Sequence, residues 1–410
     1  MRPKILIAAT VEWPTAARLA GAFSSVGCDV ETVASVRNVA SRSRYVARHH
    51  VYSPLRAGAS IRRALASAAL DLVVPCDDRA AGLLVSEWHR ARDGGDIGRV
   101  QLIERSLGNP GAYDTLMSRI GFIAAALAEG LKAPAMRSMR SEGDIAQALT
   151  DVGLPAVMKS DRSWGGEGVK IVADRAQASS ALRALSAVPG PLRSLYRAGA
   201  RRDAHHLLGL FASRNAKSAT SIQRFIEGTP ATTTFACWQG RILAAFHFDV
   251  VVSLGRTGPA CVLSRVEDSA MDEAARRIAA RFGLSGLHGL DFVRDTNGVP
   301  WLIESNPRAT PTSHLALGTD LVASLAARLG AAVAPRPAAT QRDLVALFPQ
   351  EWARNANSRH LHGAHNDVPW DDPALVRALV AETRACESPA LANWLPGFLA
   401  GPTPAAKNEA

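Results

Sequence analysis

The sequence predicts a chain of mixed α/β and α+β class. It opens with a parallel α/β domain, continues as antiparallel hairpins with helices, and ends in a small C-terminal module. Three observations predict this. Apolar strands alternate with helical stretches through residue 75, the pattern of an open parallel sheet with helices on both faces. A glycine-rich hairpin surrounds Lys159, and a second hairpin from Gly289 to Arg308 carries paired acidic residues.

Length and composition bound the possibilities. A chain of 410 residues has room for two or three domains. At 47% hydrophobic and 20% charged it has the balance of a soluble globular enzyme. It contains no apolar run long enough to span a bilayer. The opening ILIAATV is too short, and lacks the cleavage pattern, for a signal peptide, so it reads as a first strand and the expected location is the cytoplasm. Cys28, Cys76, Cys237, Cys261 and Cys386 are scattered without CxxC spacing, as suits buried apolar fillers in a reducing compartment. The net charge of +10 permits nucleic-acid or membrane binding, but the arginines are spread along the chain and no nucleic-acid motif occurs. Neither partner is expected, and a homodimer is left open.

In order, KILIAAT (4–10) is a strand, Pro14–Val26 a helix stopped by Gly27, and Cys28–Val33 a strand. Ser60–Ala69 is a helix and DLVVP (71–75) a strand ending at Asp77 and Asp78. One of these acids caps the next helix or touches substrate, since ligands of such sheets bind at the carboxyl ends of strands. No GxGxxG follows the first strand, which disfavours a dinucleotide site. Tyr113–Glu129 and Glu142–Val152 read as helices; Arg119 on the first is by itself a solvated charge.

Residues 154–174, LPAVMKSDRSWGGEGVKIVAD, read as two strands around a loop. Gly165, Gly166 and Gly168 let backbone N–H groups approach an anion, and Lys159 ends the first strand as a point charge for phosphate. No helix follows the glycines and no Gly-Lys-Ser/Thr occurs, so this is not a P-loop. Residues 188–218 are basic and irregular, a solvated surface helix or a rim that attracts anions. SIQRFI (221–226) returns to strand, Thr232–Trp238 and Arg241–Val252 form a hairpin across Gln239-Gly240, and Ser269–Phe282 is a helix capped by Ser269.

In GLDFVRDTNGVPWLIESNPR the Asn297-Gly298 pair predicts a two-residue type I′ turn. Centring there sets Asp291 opposite Glu304 with Asn306 on the same face, and gives Leu290, Phe292, Trp301 and Ile303 to the buried face. Facing carboxylates repel unless a cation lies between them, and an all-oxygen set suits Mg²⁺. Taken alone, the hairpin is better read as a surface feature with solvated acids; the glycine-rich stretch upstream reverses that. After Arg308 come a turn and a helix, then a linker, a strand-and-helix module over 343–395, and a disordered tail.

Together AVMKSDRSWGGEGVKIV, IQRFIEGTP and LDFVRDTNGVPWLIESNPR resemble the ATP-grasp superfamily, in the order that biotin carboxylase, carbamoyl phosphate synthetase and D-alanine–D-alanine ligase share. The resemblance covers roughly residues 1–330. It implies a pre-ATP-grasp α/β domain over 1–110 and a two-lobed ATP-grasp fold over 111–330, with a nucleotide lobe of about 150–226 and a metal-binding lobe of about 227–330. Residues 331–410 would hold the linker and C-terminal module. The resemblance implies ATP and Mg²⁺, or Mn²⁺, as cofactors. Arg119 and Lys159 would contact phosphates, Gly165, Gly166 and Gly168 would fold over them, and Gln223, Phe225 and Ile226 would frame adenine. Asp291, Glu304 and Asn306 would hold the metal, and Arg308, with Lys159, would act in catalysis. The implied activity is ATP-dependent joining of a carboxylate and an amine through an acyl phosphate. A phosphotransferase or carboxylase-type enzyme, or a non-catalytic ATP-binding regulator, are the alternatives.

Overall fold

The computed structural model describes residues 2–67, 69–160, 168–186, 220–255, 258–333, 336–340 and 342–386. Strand β1 (Lys4–Ala8) is buried on both faces because helices cover both. Ile5 and Ile7 pack with Leu19 and Phe23 of α1 (Thr15–Ser25), while Leu6 and Ala8 face the other way. The sheet runs β3-β2-β1-β4, all parallel, with β2 at Asp29–Ala34, β3 at Arg48–Val51 and β4 at Leu72–Pro75. Helices α2 (Ala57–Leu65), α3 (Asp78–Asp93) and α4 (Ile97–Leu107) supply Ile61, Leu84, Trp88 and Ile103 to the second face. The helix expected over Ser60–Ala69 ends sooner, as Ala69 has a φ of 57°, outside the helical region. Strand β3 was not expected, because RHHV carries no apolar alternation. It is an edge strand, tied in by His50 Nε2, which lies 2.6 Å from the Glu31 carboxylate of β2.

A second sheet holds β5 (Met136–Met139), β6 (Ala156–Ser160), β7 (Val169–Val172) and β8 (Thr220–Arg224) in the order β5-β8-β6-β7, antiparallel throughout. Before it lie α5 (Tyr113–Met117) and α6 (Arg119–Ala128); the single helix expected over Tyr113–Glu129 breaks at Ser118. Ser118 is extended and its hydroxyl accepts from the Gly121 N–H at 3.1 Å, so it starts a new helix. Helices α7 (Ile145–Val152) and α8 (Arg175–Ser186) cover this sheet, packing Ile145, Val152 and Leu182 on Met158 and Ile222.

The third sheet is built on β9 (Gly228–Trp238), β10 (Arg241–Ser253) and β11 (Ala260–Val266), with β12 (Gly286–Asp295) and β13 (Pro300–Asn306) on one side. Gln239 and Gly240 join β9 to β10 with φ of 49° and 81°, both positive as a type I′ turn requires. Helix α9 (Ser269–Phe282) packs Ile278 and Phe282 against the face that carries Phe235 and Phe292. Its cap is Asp268, which accepts from the N–H groups of Ala270 and Met271, and not the expected Ser269. On the other face α10 (Leu321–Arg328) joins Phe246 and Phe248 to the core of the first sheet, past a small ribbon of β14 (Ala316–Leu317) and β15 (Thr319–Asp320).

The C-terminal segment is no separate module. Strand β16 (Leu344–Ala346) pairs with β11, and β17 (His365–Asn366) with β16, extending the third sheet to seven strands. Leu375 and Leu379 of the last helix, Pro373–Cys386, enter the core of the first sheet. The tail expected to be disordered, 401–410, lies outside the described residues, as do the end of the expected module from residue 387 and the basic segment 188–218. Cys28, Cys76, Cys237 and Cys261 are buried free thiols, as expected. Among the described residues no helix is long and apolar enough to cross a membrane.

Asp367 fastens this segment to the first sheet. It is buried, pairs with Arg18 of α1, and both its oxygens lie 3.0 Å from His314 Nε2. Burial alone would raise its pKa, but Arg18 and His314 outweigh burial and hold the carboxyl below its ordinary value. A carboxylate depressed in the folded state stabilises it above the unfolded pKa and loses that contribution as pH falls through the folded one. Asp367→Asn should therefore lower unfolding free energy by about 3 kcal/mol at neutral pH, because Arg18 is left without its partner. The deficit should close below a pH of about 4. Urea denaturation at two pH values measures this, and an equal deficit at both would contradict it.

Candidate active site

The β12–β13 hairpin sets Asp291 opposite Glu304, as the sequence predicts, by a different route. The turn holds three residues: Gly298 N–H donates to the Asp295 carbonyl at 2.8 Å, and Asp295 N–H to the Val299 carbonyl at 3.0 Å. Gly298 has a φ of 76° and Asn297 is not left-handed, which fits a type I turn closed by a glycine rather than type I′. Pairing near the turn is thereby shifted by one, so that Phe292 faces Leu302. A bulge between Asp291 and Phe292 absorbs the shift and restores the expected register at Asp291. The buried face is consequently Leu290, Phe292 and Leu302; Trp301 and Ile303, expected there, are half-buried.

Each carboxylate has its own partners. Asp291 accepts from Thr232 Oγ1 at 3.0 Å and from Asn306 Nδ2 at 2.9 Å. Burial, and then the charge of Glu304, push its pKa up. Glu304 Oε1 accepts from Arg119 Nε at 2.9 Å, and Oε2 lies 3.7 Å from Lys159 Nζ. Burial would raise the Glu304 pKa, but Lys159 and Arg119 outweigh it and the net shift is downward. Lys159 is buried on β6, and that burial lowers its pKa although Glu304 opposes the change. The helix break at Ser118 puts Arg119 on the first turn of α6, where Nη1 also donates to the Ser160 carbonyl at 2.6 Å. Read from its own stretch Arg119 was a solvated charge; the fold makes it a bridge between β6 and β13.

Arg308 follows two residues after Asn306. Its Nη2 donates to Asn306 Oδ1 at 2.9 Å, Nη1 to the Ala309 carbonyl at 3.2 Å, and Nε to Asp78 Oδ1 at 3.1 Å. The guanidinium sits 5.5 Å from the centroid of the Trp13 ring. Sequence reasoning did not assign Trp13, Thr232 or the Asp78–Arg308 pair, because only the fold brings them together. The acidic pair does divide its work: Asp77 caps α3 by accepting from Ala80 N–H at 2.8 Å, and Asp78 reaches Arg308.

Of the expected adenine residues, Gln223 is buried on β8 and its Nε2 donates to the Ile303 carbonyl at 3.4 Å. Phe225 and Ile226 follow, half-buried. Gly168 accepts from Ser160 N–H at 2.9 Å across the β6–β7 pair; Gly165 and Gly166 lie outside the described residues.

The donor set suits Mg²⁺. Among the described residues no group of three His, Cys, Asp or Glu side chains is placed to hold a metal. A cation here would draw on two carboxylates and one amide and leave other positions to water and phosphate oxygens, which is the habit of Mg²⁺. Asn306 presents its nitrogen to Asp291 and its oxygen to Arg308, so it would serve as a ligand after its amide turned over. A divalent charge at this point would also relieve the repulsion that raises the Asp291 pKa.

A family profile described as an ATP-grasp domain matches residues 206–312. No curated protein matches the chain in sequence. Solved structures do match in fold. The biotin carboxylase domain of the Hydrogenobacter thermophilus 2-oxoglutarate carboxylase superposes with a TM-score of 0.57 at 15% identity, covering 82% of this chain and 71% of that one. The Thermus thermophilus N5-carboxyaminoimidazole ribonucleotide synthetase gives 0.56 at 16% identity, over 81% and 79% of the two chains. The Bacillus licheniformis L-amino acid ligase gives 0.50 at 15% identity, over 82% and 78%. With the profile match and these superpositions, the chain has the ATP-grasp fold.

Proposed function

We propose that the protein is an ATP-dependent carboxylate–amine ligase acting on small molecules or amino acids. The observation that carries this reading is the facing pair Asp291 and Glu304, with Lys159 directed at it from the second sheet and Arg119 from the start of α6. A biotin carboxylase domain of this fold is described in complex with MgADP and bicarbonate. The cytoplasm is the proposed setting.

The difficulty of the reaction is electrostatic. A carboxylate has to approach the γ-phosphate of ATP, and both are anions. Lys159 and Arg119 would hold phosphate oxygens, and Arg308, fixed on one edge by Asp78, would hold the carboxylate or the transferring phosphoryl group. Asp291, Glu304 and Asn306 would hold Mg²⁺, which supplies further neutralisation of phosphate charge when bound. Gln223, Phe225 and Ile226 would frame adenine. The acyl phosphate that forms is then open to attack by an amine, which displaces phosphate and leaves an amide.

Two outcomes are expected. Mg·ATP should raise the melting temperature, since a ligand that binds only the folded state stabilises it by about 2.7 kcal/mol at a hundredfold excess over Kd. Lys159→Ala should shrink that rise; an unchanged rise would remove Lys159 from the nucleotide site. Second, phosphate release from ATP, screened against pooled carboxylic acids and amino acids, should require both a carboxylate and an amine, with a condensed product by mass spectrometry. Arg308→Ala should lower kcat for the cognate pair by about a hundredfold or more. A phosphorylated end product, or no phosphate release with any pool, would count against the ligase reading.

A further inference from the structure

Helix α1 and the loop after Arg308 meet at a second point, away from the acidic hairpin. A cavity there is lined by Thr15 and Arg18 of α1, Pro311 and His314 of the loop, and Gln350 and Asp367 of the C-terminal segment. Its volume is about 10 Å³, room for one oxygen-sized atom. Three side-chain atoms of this lining are buried without a hydrogen-bond partner: Arg18 Nε, His314 Nδ1 and Gln350 Oε1. Buried polar atoms are costly to leave unsatisfied, so three around one cavity point to a ligand. The start of α1 points the same way. Thr15, Ala16 and Ala17 are buried, no side chain caps the helix, and no acid stands in its first turn. Its N-terminal partial positive charge, with Arg18 one turn in, favours an anion.

His314 sets what else the ligand brings. It is 7% exposed, and its Nε2 lies 3.0 Å from both oxygens of Asp367. Nε2 therefore carries a proton, and the second proton of an imidazolium would sit on Nδ1, the atom without a partner. The charges around the ring are Asp367, its partner Arg18, and Arg336, which donates to the His314 carbonyl and pairs with Asp320. Burial lowers the His314 pKa, Asp367 opposes that, and Arg18 and Arg336 add to the lowering, so the ring is neutral at neutral pH. An anion beside Arg18 offsets the repulsion that keeps the second proton away.

We propose that this cavity is a second ligand site, which takes one oxygen of a carboxylate, phosphate or sulfate group together with a proton on His314. Arg18 Nε, His314 Nδ1 and the first N–H groups of α1 would donate to that oxygen, and the Gln350 amide would turn its nitrogen toward it. Thr15 is two residues after Trp13, whose ring is 5.5 Å from the Arg308 guanidinium, and Pro311 is three residues after Arg308. On the ligase reading, the site holds the far anionic group of a substrate whose carboxylate meets Arg308.

The probe is sulfate, which does not titrate near neutral pH. Calorimetric titration of the full chain, in EDTA without nucleotide and at fixed ionic strength in chloride, should show binding that tightens as pH falls from about 8 to about 6. Heats in two buffers of different ionisation enthalpy should report net proton uptake. His314→Gln keeps a donor for Asp367 but takes no proton, so it should bind sulfate roughly tenfold more weakly at the lower pH and lose the uptake. His365 feels the same Asp367 and Arg18 charges, and uptake that persists in His314→Gln overturns the proposal. Binding without proton uptake in wild type overturns it too. So does binding that Arg308→Ala abolishes and His314→Gln leaves intact, which would put the ion at Arg308. Where His314→Gln does not fold by circular dichroism, Gln350→Leu is read for weakened affinity and wild type for the uptake. A substrate screen then separates the two sources of the anion. Preference for carboxylates that carry a second anionic group, lost in His314→Gln, assigns the site to the substrate; sulfate binding without that preference assigns it to a free inorganic anion. The sulfate measurements stand apart from turnover, so a screen without any turnover counts against the ligase reading alone.

Discussion

Two carboxylates side by side on a hairpin repel, and most of the site can be understood as compensation for that repulsion. Asp291 and Glu304 are cross-strand neighbours on β12 and β13. Thr232 and Asn306 donate hydrogen bonds to one, while Arg119 and Lys159 bring positive charge to the other. Opposite pKa shifts follow: Asp291 upward through burial and its acidic neighbour, Glu304 downward because its cations outweigh burial. A pair divided in this way has one carboxylate held by two neutral donors and another held by two cations. That asymmetry arises from which elements reach which residue, since the two side chains have nearly the same intrinsic chemistry.

The compensating groups come from separate parts of the chain, so the site exists only when those parts are docked. Lys159 comes from the second sheet, Arg119 from the helix before it, and Asp78 and Trp13 from the carboxyl edge of the first sheet. Ala309, next to Arg308, donates its N–H to the Pro75 carbonyl of β4 at 2.9 Å, which brings the hairpin exit against that edge. The N-terminal sheet thus orients the guanidinium proposed for catalysis through Asp78. The C-terminal segment acts further out, since its Asp367 holds α1 and the loop after Arg308 together through Arg18 and His314.

Much of this was legible in the sequence, for reasons that can be stated. Strands β1 and β4 of the first sheet are short apolar runs buried on both faces, and the acidic pairing depends on a hairpin whose turn is marked by Asn297-Gly298. What escaped detection was non-local or compensated. Arg119 looks like any helix charge until the break at Ser118 turns it toward Glu304. Strand β3 has no apolar alternation because it is an edge held by its neighbour. Strand β16 lies over seventy residues beyond the strand it pairs with, so its stretch gave no sign of joining the third sheet. The helix cap moved by one residue, from Ser269 to Asp268, and both side chains are good caps.

The hairpin shows how a correct placement can survive a wrong turn. A three-residue loop displaces the pairing by one, and the bulge near Ile303 displaces it back before Asp291 is reached. Either change alone would have moved Glu304 to the other face, since side chains alternate with a period of two. The bulge has a second effect. The Ile303 carbonyl accepts from Gln223 of β8, the strand that also pairs with the Lys159 strand. The irregularity that rescues the acidic register is therefore also a point where the second sheet touches the third, beside the Lys159–Glu304 contact. A regular hairpin of the predicted kind would have supplied the same two carboxylates without that joint, and the distance from Lys159 to Glu304 would have had one fewer fixed point behind it.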